Sequence, residues 1–233
     1  YVKQNVVGGT GDGSSWTNAT KYLDDATKTS GVQQVWIAIG QYQIDAGKSF
    51  NMKNGLTIYG GFDPDNGIDG LTDARWLPGN GVPNSTFLVG NVNSVVYNKD
   101  IDGTAVLDGV VLIGGLADQG GGMYNDNSSP MLRNLEIRKN NADNGAGILN
   151  INGSSPQFFN VTIVDNEATN SGGGIYNDAS SPIFTNVTIS NNKADNGGGI
   201  VNKSSASPEF YNSIVWGNTL TGGTSSNVVN DNS

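Results

Sequence analysis

A 26-residue step runs through the second half of this 233-residue chain. Pro130, Pro156, Pro182 and Pro208 stand 26 apart, as do Asn134, Asn160, Asn186 and Asn212, and again Asn140, Asn166, Asn192 and Asn218. Asn144, Asn170 and Asn196 keep the same step. A glycine motif travels with them as GGGMYN (120–125), GAGILN (145–150), GGGIYN (172–177) and GGGIVN (197–202). Its steps, read at Met123, Ile148, Ile175 and Ile200, are 25, 27 and 25. Insertions that cancel in this way belong in turns. A unit this short cannot bury its own apolar face, so it must stack on its neighbours.

Within a repeat the apolar period is two rather than 3.6. In PIFTNVTIS (182–190), Phe184, Val187 and Ile189 face one side, while Ile183, Thr185 and Thr188 face the other. Asn186 marks a bend between two short strands, and the glycine motif supplies a third. Three short strands and three turns make one rung. The expected fold is all-β: a single-stranded right-handed parallel β-helix, a solenoid with rungs ~4.8 Å apart. Phe158, Phe184 and Phe210, with Leu132 below them, then form an inward column. Stacked asparagines at the bends satisfy one another and the turn backbone. Glycine triplets allow positive φ where a Cβ would clash.

Composition agrees. Glycine is 34 and asparagine 32 of 233 residues, so turn formers dominate and a helical bundle is excluded. There is no cysteine and no histidine. That removes disulfide scaffolds, Cys/His zinc sites, thiol nucleophiles and imidazole triads. A net charge of −9 makes nucleic acid and anionic membranes poor partners. No apolar run approaches the ~20 residues of a membrane-spanning helix. Tyr1 is not a translation start, so a removed leader or a trimmed chain is expected, as part of a longer protein.

The whole chain, 1–233, is expected to be one domain. Residues 1–33 form an N-terminal cap, with a helix over Asn18–Lys28 capped by the Ser or Thr before it. Residues 34–106 hold irregular early rungs, 107–218 regular ones, and 219–233 a tail or cap. Ile214 and Trp216 fall on the outer side of the last rung, so residues 219–233 or a further domain are expected to fold back over them.

The GGGIxN motif followed by SSPxFxN and VTIxxN resembles the β-helix repeats of bacterial surface proteins. It is similar to the polymorphic outer-membrane protein repeat. GDGSSWTNAT (11–20), VWIAIGQY (35–42), GLTIYGGF (55–62), AVLDGVVLIGG (105–115) and NSIVWGN (212–218) extend the resemblance over most of the chain. The resemblance implies export and an adhesin-like role at the cell surface, with no activity specified.

β-Helices host polysaccharide lyases and glycosidases, and a glycosidase needs two carboxylates ~5–9.5 Å apart. Asp126 and Asp178, and Asp143 and Asp195, recur two rungs apart, roughly 10 Å, in turns where aspartate is favoured locally. Lys139, Lys193 and Lys203 are also turn residues. Asp24 and Asp25 read as a solvated helix face. DPDNGIDGLTD (63–73) offers Asp63, Asp65, Asp69 and Asp73 as calcium ligands, although Gly67 falls early for an EF-hand loop and no glutamate closes it. The alternative is a polar insertion. An ice-binding lattice lacks threonines, since Glu136 and Ile214 flank Thr162 and Thr188. Glycosylation sequons at Asn18, Asn84, Asn127, Asn152, Asn160, Asn186 and Asn202 reflect composition for the most part.

The ligand surface expected from the pattern is the outward column Tyr124, Leu149, Tyr176 and Val201, with Phe159 and Tyr211 outward on the preceding strand. Tyrosine gives a sugar or a protein a flat apolar face and a hydroxyl. The competing reading is that these rings only stabilise neighbouring rungs. The sequence therefore predicts an extracellular, non-enzymatic surface module binding a glycan or a protein, with a carbohydrate-active enzyme as the alternative. No cofactor is expected other than the calcium candidate.

Overall fold

The computed structural model describes residues 1–79 and 84–231. It is an all-β parallel solenoid of about seven turns with rungs of about 26 residues. Each regular rung holds four short strands rather than the three expected. In the rung that starts after Pro182, Ile183–Ser190 bends at Asn186 and serves as two, followed by Lys193–Ala194 and Ile200–Lys203. The added strand had little sequence signal. Its members carry one small inward residue each, Ala142, Ala168 and Ala194, among exposed or partly exposed polar neighbours.

Parallel pairing from rung to rung turns sequence columns into spatial ones. Leu107, Leu132, Phe158, Phe184 and Phe210 are register partners in succession, with Val35 and Ile58 continuing the line below. The phenylalanine rings stack with centroids 4.8 Å apart, the rung spacing itself. Leu88, Leu112, Ile137, Ile163 and Ile189 make a second apolar column. Val96, Met123, Ile148, Ile175 and Ile200 make a third. Together they close one buried core along the axis.

Asparagine ladders run beside these columns. Asn140, Asn166, Asn192 and Asn218 are fully buried; the first three amides donate to the Oδ1 of the next at 2.9–3.0 Å, Asn218 donates to Asn227 at 3.1 Å, and all four donate to a backbone carbonyl of the preceding rung. The last asparagine of the glycine motif builds a second ladder. It runs Asn98, Asn125, Asn150, Asn177, Asn202 and Asn230, with donor–acceptor distances of 2.8–2.9 Å. The bend residues Asn134, Asn160 and Asn186 form a third, outer ladder that begins on Asp108 and donates in the opposite direction. All three adopt φ of 50–56°, the left-handed region that asparagine tolerates.

The N-terminal cap is present but differs in detail. The helix spans only Leu23–Lys28, and its N-cap is Tyr22, with no side-chain capping bond. Asn18 lies in a turn instead, and Thr20 bridges Val2, which in turn bridges Ile37. An aromatic cluster seals this end: Tyr1 meets Trp16 and Trp36 edge-on, and Trp36 stacks on Phe62 at 5.0 Å. At the other end, residues 219–231 do not fold back over Ile214 and Trp216. Thr219–Leu220 and Val228–Asp231 continue the third and fourth strand columns, so both side chains stay exposed. No described helix is long and apolar enough to cross a membrane.

Candidate ligand-binding face

Tyr97, Tyr124, Leu149, Tyr176 and Val201 are successive register partners on the outer side of the fourth strand column. Glycine makes this face. Gly120 and Gly172 sit at φ 63° and 67°, and a Cβ on either would approach the Cβ of Tyr124 or Tyr176 to 2.9 Å. The turn therefore lies against the root of the outward side chain. Tyr124 and Tyr176 are half-buried as a result, and burial pushes both phenols above their ordinary value.

This corrects two of the expected contact residues. Leu149 and Val201 are each only 2% exposed. Leu149 is enclosed between Tyr124 and Tyr176 above the Gly145 turn, and Val201 sits against the Gly197 turn, where a Cβ would come within 2.3 Å of its Cγ2. Neither is open to a ligand. Phe159 and Tyr211 lie in another strand column, paired with Thr185, and are not brought to the tyrosine face. Tyr211 is exposed and donates its hydroxyl to Glu209 at 2.7 Å. For Leu149 and Val201, packing between rungs accounts for the side chain, while Tyr176 stays half-exposed.

The lower end of the column is different. Tyr97 stacks on Tyr124 with centroids 5.0 Å apart and is the first ring of the series. The rung below brings Phe50 against Val96, which places Asn51 next to Tyr97. Asn51 does not extend along the ring, because its amide folds back onto the Ser49 carbonyl at 3.0 Å. A groove of about 600 Å³ opens there, lined by both tyrosines, Ser49, Asn51, Asn93, Asp118 and Gln119. Sequence reasoning missed Tyr97. The signal was VYNK (96–99), which repeats the MYND of 123–126 without the glycines that flagged the other copies.

Two of the repeated carboxylates hold side chains of the following rung. Asp126 accepts from the Asn152 amide at 2.6 Å, and Asp143 from the Thr169 hydroxyl. Asp178 lies in register with Lys203. Asp195 is exposed. The four aspartates of residues 63–73 are not gathered. Asp63 is buried and holds the Asn66 amide at 2.9 Å, Asp65 pairs with Lys3, and Asp73 accepts the backbone N–H groups of Asp69 and Gly70. Among the described residues, no group of three or more acidic side chains could hold a metal ion. The insertion is pinned instead by Arg75, which pairs with Asp108 at 2.9 Å, donates to the Gly60 carbonyl and lies over the Tyr59 ring.

Of the sequons, Asn202 is buried in its ladder, while Asn160 and Asn186 are exposed in theirs. No family model, no curated protein and no solved structure matches this chain.

Proposed function

We propose that this chain is a non-enzymatic recognition module of an exported surface protein, and that it binds an extracellular glycan at the foot of the tyrosine column. The observation that carries the reading is the groove beside Tyr97 and Tyr124. A ring whose neighbour below is a folded-back amide offers an apolar platform for the C–H face of a sugar. The hydroxyl of Ser49 and the amides of Asn51, Asn93 and Gln119 supply donors and acceptors for its hydroxyls. A neutral glycan suits this lining better than an acidic one, since Asp118 is part of it and the chain carries −9. The resemblance of the repeat to bacterial surface proteins supports display outside the cell.

The test is titration calorimetry against a panel of neutral and acidic oligosaccharides, with Tyr97→Ser/Tyr124→Ser as the variant. Binding of a neutral oligosaccharide, weakened at least tenfold in a variant with unchanged circular dichroism, is expected. Unchanged binding by the folded double variant would reject this groove as the site. Turnover of a polysaccharide that disappears in Asp126→Asn or Asp143→Asn would replace the reading with an enzymatic one.

A further inference from the structure

The groove beside Tyr97 does not end at Gln119. A second groove, of about 370 Å³, adjoins it and shares Asn93, Ala117 and Asp118 with it. It continues past Leu116 and Asn141 to Asp143 and Thr169. The pairing register gives the length of the joined trough. Phe50 bridges Val96, Val96 pairs with Met123, Leu116 with Asn141, and Ala142 with Ala168. Asn51, Tyr97, Leu116, Asn141 and Thr169 thus stand on successive rungs, a span of about 19 Å at ~4.8 Å per rung.

The lining of the trough suits a chain. In the second groove Val92 and Leu116 are each 55% exposed, an apolar platform separate from the tyrosine rings. Val92 reaches that position at φ 45°, a left-handed conformation that a β-branched side chain disfavours. Such a conformation persists only where the surrounding structure imposes it, and it clusters at ligand sites. Here the Leu116 N–H donates to the Asn93 carbonyl at 3.2 Å, which holds the Val92 loop against strand Leu116–Gln119. The side chains of Asn93, Asp118, Gln119 and Asn141, also in the trough, make no hydrogen bond with another described residue. Two apolar platforms with unengaged polar groups beside them match a linear neutral glycan, whose rings present C–H faces and hydroxyls in turn.

We infer that the trough takes a linear neutral oligosaccharide of about four units, roughly one sugar ring per rung spacing, gripped by Tyr97 with Tyr124 and by Val92 with Leu116. The inference rests on the glycan reading above and adds the length of the ligand and its second platform. Calorimetry with neutral glucan, xylan and mannan oligosaccharides of two to six units tests it. In the series that binds, affinity is expected to rise at least tenfold from two units to four and to level off beyond. Val92→Asn combined with Leu116→Ser should remove that gain and leave the affinity for the two-unit sugar unchanged. Val92→Asn alone should melt no lower than wild type, because asparagine tolerates φ 45°, and this separates a lost contact from a lost fold. A two-unit sugar bound as tightly as a six-unit one overturns the inference and leaves the tyrosine site standing. So does a gain with length that survives the double variant. Absence of binding at every length overturns both readings.

Discussion

Asn125 donates its side-chain amide to Oδ1 of Asn150 at 2.8 Å, and Asn150 passes the same bond on to Asn177. Residues 25 and 27 positions apart thus become polar neighbours in a core closed to water. Replacing the middle member strands a donor on one side and an acceptor on the other. Asn150→Leu is expected to cost about 1–3 kcal/mol for each orphaned group, measured by urea unfolding. Asn127→Ala, at an exposed turn one rung away, should cost much less.

Asn150→Asp adds a pH dependence with a definite sign. Burial and the facing Asn177 oxygen raise the folded pKa of the introduced carboxyl above its unfolded value. The folded state then binds the extra proton, so the variant is penalised at pH 7 and recovers relative to wild type as the pH falls toward 4. Urea midpoints of both proteins at the two pH values check this, and a gap that widens on acidification would contradict it.

Asp12 behaves in the opposite sense. Hydrogen bonds from the Ser14 and Thr10 hydroxyls, then the Ser14 N–H, hold its carboxyl down to about 2. Its folded pKa lies below the unfolded one, so its contribution is present above the unfolded value and is lost as pH falls through the folded one. Carboxyl carbon shifts in an NMR titration should place Asp12 well below a free aspartate, and Ser14→Ala should move it up.

Phe184→Ala is expected to cost about 3–5 kcal/mol, because the ring is enclosed between Phe158 and Phe210. Thr188→Ala, on the outer side of the same strand, should stay within about 0.5 kcal/mol. Equal losses at the two sites would overturn the inward and outward assignment.

Gly172→Ala combines a backbone penalty with a collision. Its φ is 67°, and a Cβ would sit 2.6 Å from the Ile175 carbonyl oxygen. A loss of about 1–2 kcal/mol from the backbone alone is expected, and more from the contact. Gly222→Ala, with nothing within 4 Å, is the control.

The period announced the solenoid, since four columns with one step leave no other architecture open. What stayed hidden followed from weak local chemistry. The strand Asn141–Asn144 buries a single methyl group at Ala142, so no alternation marks it. The expected helix over residues 18–28 starts five residues late because Thr20 is taken as extended chain by Val2. Tyr97 was overlooked because its copy of the motif lacks glycines. Leu149 and Val201 point outward as read, yet alternation cannot report a turn lying across an outer face. The Asp63–Asp73 segment looked like a cation loop because caps and cation sites draw on the same residues.

The hydrogen bonds between rungs lie along the axis, while the strands lie across it. A pull along that axis would load one rung's bonds at a time, as a zipper opens, rather than shearing a whole sheet together. Each released turn frees about 26 residues, or roughly 90 Å of contour at ~3.5 Å per residue, in exchange for ~5 Å of folded height. Under load the solenoid would lengthen in uniform increments, and its turns would serve as a reserve of extension between whatever holds its two ends.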